Sequence, residues 1–188
     1  MRAIIPFFLF FTALLFIQQD SAADVPSSAG HQAPIEWQSI EEAIGILDGA
    51  EKNDKLFFVD VYLDGETWGA RMSTTTFTDP RVIQLMREHF HAVKLNAEMT
   101  QPVNFRGHTF QSQLSGRRSY HELALSLLDH KVSFPCTVFL DEGFNVIQRL
   151  PGFHEADAFA LILDYIGSRS YQSRSWEDFQ AARAAGGE

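Results

Sequence analysis

Apolar residues first recur at Ile40, Ala43, Ile44 and Leu47, the spacing of one helical face. Ser39 stands before them with Glu42 three residues on, a capping-box pattern that starts a helix there. The helix should end within 49–53. The period then changes. Residues 56–63 read Leu-Phe-Phe-Val-Asp-Val-Tyr-Leu, a nearly continuous apolar run. Such a run predicts a strand covered on both faces, with Asp60 as its anomaly. A short Gly-containing turn and a helix come next. Thr78-Asp79-Pro80 reads as a cap and restart with Pro80 at the first helical position, and Val82, Ile83, Leu85, Met86 and Phe90 carry the apolar face onward. Residues 91–96 read as the next strand. Residues 100–116 are polar, with Val103, Phe105 and Phe110 around Gly107, and predict a hairpin or a structured loop. Helical spacing returns over 120–130 through Leu123, Leu127 and Leu128. Strands are predicted over 136–141 and 146–150. The turn between them, 142–145, is too short for a crossover, so they should form an antiparallel hairpin. An amphipathic helix is predicted over 156–166, and Ser175 caps a last short helix over 176–185. No internal repeat is visible. The order is helix, strand, helix, strand, helix, strand, strand, helix. That order predicts an α/β fold with a central mixed sheet flanked by helices on both faces.

The N-terminus lies outside this pattern. Met1-Arg2-Ala3 gives a positive start, 4–17 is almost wholly apolar, and Ser21-Ala22-Ala23 offers small residues for cleavage. This is the pattern of a secretory signal peptide over 1–23. The run is shorter than the roughly 20 residues a spanning helix needs, so no stable membrane span is expected after cleavage. Without a Cys near the cleavage region, a lipoprotein anchor is disfavoured. Residues 24–34 are small, polar and Pro-containing and read as a flexible linker. One domain over 35–168 and a helical C-terminal tail over 169–188 complete the layout. The chain is expected to be exported, to a periplasmic or other envelope-associated location.

Charge narrows the partners. The 188-residue chain has a net charge of -9, and losing Arg2 and Asp20 with the signal leaves that unchanged. An acidic exported protein is not a nucleic-acid binder by bulk charge. Arg117-Arg118 is too small a basic doublet to alter that. Cys136 is the one cysteine, so no internal disulfide can form. Stability must then come from the core, which 45% hydrophobic residues and 17 Phe can supply. No Cys/His group has zinc spacing, and neither a metal nor a cofactor is expected. Oligomeric state is not legible.

Several segments together carry a family likeness. Val59-Asp60-Val61-Tyr62 resembles the strand entering the active site of thioredoxins. Thr76-Phe77-Thr78-Asp79-Pro80-Arg81-Val82 resembles the stretch just after the redox motif in exported relatives, and Val93-Lys94-Leu95-Asn96-Ala97-Glu98 resembles the next strand. Phe134-Pro135-Cys136-Thr137-Val138-Phe139-Leu140-Asp141 resembles the cis-proline strand, and Gly152-Phe153 the glycine region before the last helix. Gly116-Arg117-Arg118-Ser119-Tyr120-His121-Glu122-Leu123-Ala124 is similar to a segment of bacterial envelope thioredoxin-like proteins. The likeness covers about 35–167 and rests on order and spacing. It implies a thioredoxin-like fold. In that family the site reads Trp-Cys-Gly-x-Cys-Lys-x-Met. Counting back from Phe77 and Met72 puts the two cysteines at Glu66 and Gly69, with Trp68 in a variable position between them. Dithiol exchange needs an activated thiolate and a resolving thiol three residues later. Glu66 and Gly69 supply neither, so the resemblance implies the fold while the residues contradict its chemistry.

The remaining candidates come from that resemblance. Asp60 and Lys94 match a buried acid and its basic neighbour, and a buried acid needs a partner. Glu66 reads either as a helix cap or as an acidic contact in a binding groove. Pro135 matches the proline that is cis in the family and lines the substrate groove. Glu66, Thr67, Trp68, Phe134, Pro135 and Cys136 would form that groove. Trp68 and Phe134 would flank it as an aromatic pair suited to a peptide, or else pack into the core. Cys136 reads as a small buried hydrophobe or as a reactive thiol. Arg117, Arg118, Tyr120 and His121 read as a solvated helix start or as an anion or partner site. The leading expectation is a redox-inactive thioredoxin-fold protein of the bacterial envelope, holding a peptide or protein partner in the old groove or serving as a subunit of an envelope complex. The alternative is a thiol enzyme acting through Cys136 alone.

Overall fold

The computed structural model describes residues 33–49 and 54–186. The signal-peptide reading and nearly all of the linker reading lie outside the described residues.

Ser39 caps α1 (Ile40–Asp48) with the full reciprocal capping box: its hydroxyl accepts from the Glu42 N–H, and the Glu42 carboxylate accepts from the Ser39 N–H. The apolar run becomes β2 (Leu56–Tyr62). A turn leads to α2 (Thr67–Thr74), a 3₁₀ turn (Thr76–Thr78) and α3 (Pro80–His89). Asp79 caps α3 by accepting from the Arg81 N–H. β3 (Phe90–Asn96) is next. β8 (Cys136–Leu140) and β9 (Val146–Pro151) form the expected antiparallel hairpin. α5 (Ala156–Gly167) and α6 (Trp176–Ala185) close the chain, and Trp176 and Phe179 of α6 pack on Tyr165 of α5.

The main sheet also holds β1 (Trp37–Gln38), and its order is β1-β3-β2-β8-β9. β1, β3 and β2 run parallel, whereas β8 and β9 are antiparallel. Strand parity divides the side chains between two cores. Phe57, Val59 and Val61 face one, under α1 and α4 (Glu122–Leu127), with Ile40, Ala43, Leu123 and Leu127. Leu56 and Phe58 face the other, with Val82 and Met86 of α3 and Phe159 and Leu163 of α5. Helices therefore cover both faces. The architecture is thioredoxin-like. Among the described residues no helix is long and apolar enough to cross a membrane.

Two segments differ from the pattern reading. Residues 100–116 belong to two small hairpins. One is β4 (Val103–Phe105) with β5 (His108–Phe110), and the other is β6 (Ser112–Ser115) with β7 (Arg118–His121). Tyr120 and His121 thus end a strand, and α4 (Glu122–Leu127) starts later and stops earlier than its apolar spacing suggests. His121 is the reason for the late start. It is fully buried, its N–H donates to the Ala97 carbonyl, and its Nδ1 caps α4 by accepting from the Leu123 N–H. Burial pushes its pKa down. The helix start is therefore neither a solvated cap nor an anion site at His121. Asp129 and His130, both with positive φ, end the helical conformation early.

Candidate functional site

The site lies where β2 turns into α2. Gly65 takes φ of 73°, a conformation that glycine adopts without strain, and brings the chain round to Glu66. Glu66 is the N-cap of α2. Its Oε1 accepts from the Trp68 N–H at 2.9 Å and its Oε2 from the Gly69 N–H at 2.5 Å. These two donors point outward at any helix start and need an acceptor. The chain therefore fills its own helix terminus with a carboxylate. Glu66→Ala should cost about 1–2 kcal/mol of stability, read as a lowered chemical-denaturation midpoint at unchanged slope.

Gly69 fits that cap. A Cβ at Gly69 would sit 3.1 Å from Glu66 Oε2 and 3.7 Å from Pro135 Cβ. The missing side chain thus gives the carboxylate its place, and Pro135 faces the same spot. The Phe134–Pro135 peptide is cis. Glu66, Gly69 and Pro135 are accordingly brought together, and Thr67 is exposed beside them.

Trp68 and Phe134 do not pair with each other. Trp68 is 50% exposed and takes Phe153 as its ring neighbour at 5.6 Å. The Arg71 guanidinium lies 4.5 Å from the Phe153 ring centroid and bonds Glu155 at 2.9 Å. Phe134 turns the other way, onto Tyr120 at 5.9 Å and the core under α1 and α4. Phe153 entered the sequence reading only through the Gly152-Phe153 likeness, and Arg71 and Glu155 were not read as site residues there. The helical spacing of Trp68 and Arg71 was the available signal for one of them.

Cys136 is also turned inward. It is 3% exposed and shares a core with Val138 and Leu140, the residues of its own strand parity. Burial pushes its thiol up to about 11. Because the thiolate is the nucleophile, such a thiol is inert near neutrality. Native protein should resist Ellman's reagent at pH 8 and label fully in guanidinium; rapid native labelling would overturn this assignment.

On the other face of β2, Asp60 takes the next position after Phe58 and is 3% exposed. Parallel register sets it opposite Lys94 on β3, and Lys94 Nζ donates to Asp60 Oδ2 at 2.5 Å. Trp37, Tyr62 and Phe77 surround the same ammonium, their ring centroids 4.5, 5.1 and 5.3 Å away. Asp60 Oδ1 is buried with no hydrogen-bond partner. Burial raises the Asp60 pKa despite the opposing pull of Lys94. Asp60 and Lys94 line a cleft of about 380 Å³ with Tyr62, Asp64, Glu66 and Gly69. Among the described residues no cluster of His, Cys, Asp and Glu could hold a metal ion.

Residues 26–149 match the family model Thioredox_DsbH, described as a protein of unknown function, DUF255. The chain belongs to that family. Among solved structures, this DUF255 member is similar to a thioredoxin-fold protein from Helicobacter pylori at 20% identity and a TM-score of 0.52, over 77% of this chain and 94% of that one. It is also similar to a thioredoxin from Thermus thermophilus at 18% identity and a TM-score of 0.50, over 71% of this chain and 88% of that one. At such identities the likeness shows the fold alone. No curated protein matches the chain. This DUF255 protein therefore keeps a thioredoxin fold around a site with a single, buried cysteine.

Proposed function

We propose that this protein is a redox-inactive binding protein that holds an extended segment of a protein partner beside the N-terminus of α2. The observation that carries this reading is the half-exposed Trp68, braced by Phe153 and Arg71 next to Glu66 and Pro135. An exposed tryptophan on a rigid support is what a contact surface concentrates its binding energy in. The chemistry that would compete with binding is missing, since a carboxylate occupies the helix start and the lone thiol is buried.

The layout we propose is a signal peptide over 1–23, a linker over 24–34, the thioredoxin-like domain over 35–168 and a tail over 169–188. It supports export to the envelope. Pro135, Glu66 and Thr67 would flank the bound segment, with Trp68 as its anchor.

Two measurements test the reading. In an insulin-reduction assay the protein should show no turnover above a Cys136→Ser control, and appreciable turnover would sink the redox-inactive assignment. In the native host, a photo-crosslinking residue at position 68 should yield a discrete adduct that one at the exposed Leu114, on the β6–β7 hairpin, does not. Trp68→Ala should weaken binding of the recovered partner by about 2 kcal/mol, roughly thirtyfold. Equal adducts at both positions would refute the groove.

A further inference from the structure

The cleft under α2 has a composition of its own and adjoins the partner groove, sharing Glu66 with it. Its floor is Asp60 and Lys94, its walls include Tyr62, Glu66 and Gly69, and its mouth is formed by the exposed Asp64, Gly65, Ala70 and Ser73. Pro135, Trp68 and Phe153 are not among its lining residues.

Three carboxylates line the cleft against one ammonium. Their positions are fixed by bonds to the protein. Glu66 is held by the amides of α2, and Asp64 accepts from the Asn96 side-chain N–H at 2.8 Å. Asp60 Oδ2 is engaged by Lys94 at 2.5 Å. Asp60 Oδ1 has no partner, though the side chain is only 4% exposed. A buried acceptor left without a donor carries a penalty of about 1–3 kcal/mol, more when charged. Lys94 cannot readily swing to serve it, because its ammonium is already seated among Trp37, Tyr62 and Phe77. The cleft thus combines excess negative charge, fixed acceptors and one unmet acceptor at its floor. The carboxylates do not converge as metal ligands do, and no cluster among the described residues could hold a metal ion. Spread acceptors suit a ligand whose donors are spread as well.

We propose that this cleft binds an organic cation of the alkylammonium or guanidinium class, whose N–H groups reach Asp60 and Asp64 while its alkyl stem lies along Tyr62, Leu63 and Ala70. The overall charge of -9 favours the approach of such a ligand. A cation of this class can be a free amine or a lysine or arginine side chain of a polypeptide, and the chemistry at the cleft is the same for both. The cleft meets the partner groove at Glu66, but Trp68 and Pro135 serve only the groove and Asp60 and Asp64 only the cleft, so the two readings are tested separately.

The test is an NMR titration of the isotope-labelled protein at pH 7 and low salt. The probes are n-butylammonium and n-butylguanidinium, with n-butanol and n-butanamide as neutral isosteres. A blocked pentapeptide with one central arginine among alanines is added as a further probe. The cations should move the amide signals of Gly65, Gly69 and Ser73 saturably, and the isosteres should bind at least about tenfold more weakly. Tighter binding of the peptide than of n-butylguanidinium assigns the ligand to a polypeptide, and equal or weaker binding assigns it to a free amine. Asp64→Asn, an exposed change, should weaken the cations about tenfold. Ala70→Leu should block the mouth if Asp64→Asn disturbs the fold. The proposal is overturned if isosteres bind as well as cations, if the three amides do not move, or if both variants bind like the parent.

Discussion

Lys94→Met lowers the stability of the fold by about 3 kcal/mol at pH 8, and the loss shrinks as the solution is acidified. Breaking a buried ion pair from one side strands the other charge, at about 3–5 kcal/mol. The low end applies because Lys94 is 27% exposed at its side chain and because Asp60 can take up a proton. The sign is set by Asp60. Burial already raises its folded pKa above the unfolded value, with Lys94 opposing the rise. Its contribution is therefore most favourable below the ordinary carboxylate range and is lost as pH rises through the folded pKa. Removing the ammonium deepens that loss at neutral and alkaline pH. Thermal denaturation should show a midpoint lower by about 6–12 °C at pH 8, with a smaller gap at pH 5. Asp60→Asn combined with Lys94→Met removes the stranded charge and should recover most of the difference. A Lys94→Met protein as stable as the parent at pH 8 would mean that the pair carries no weight.

Glu66→Cys together with Gly69→Cys should raise disulfide-reductase activity well above the parent's background. The scaffold of that chemistry is present. α2 begins at the first position with free amides that now hold the Glu66 carboxylate, and a thiolate there would inherit both. Helix starts of this kind lower a thiol well below its usual value of about 8.5. The two changes depend on each other. A side chain at position 69 alone would press on Glu66 Oε2, whereas replacing Glu66 clears the space. Pro135 already faces position 69. Insulin turnover should rise at least about tenfold above the parent's background, with neither single change sufficient. If the double variant is folded but inactive, the loss of activity lies deeper than the two missing sulfurs.

Much of this was legible because local rules and tertiary structure agree. The capping box at Ser39 and Glu42 needs only a three-residue spacing, and it forms. The run through β2 is covered on both faces as its composition requires. Glu66 and Gly69, three residues apart in the sequence, meet at the start of α2, where the Glu66 carboxylate accepts from the Gly69 N–H. What escaped depends on side-chain direction and on distant partners. Cys136 comes directly after Pro135 in sequence, yet strand parity sends its side chain to the core with Val138. Trp68 and Phe134 each found another ring, Phe153 and Tyr120, from segments far away along the chain. Tyr120 and His121 lie in a helix-spaced stretch, but pairing with Gln113 and Ser112 holds them in a strand. β1 is two residues long and exists through its pairing with β3, so no periodicity could reveal it. The cleft required Asp60, Asp64 and Lys94 to meet, which register between two parallel strands decides.

The two packed layers either side of the sheet carry a last consequence. Phe58 alone meets the rings of Trp37, Phe77, Phe90, Phe139 and Phe159, and the lone thiol is sealed in the opposite layer. Nothing in this fold is cross-linked, so there is no bond for a reductant to cut and no pairing for an oxidase or isomerase to select. The folded shape is therefore indifferent to the thiol–disulfide balance of whatever compartment holds it.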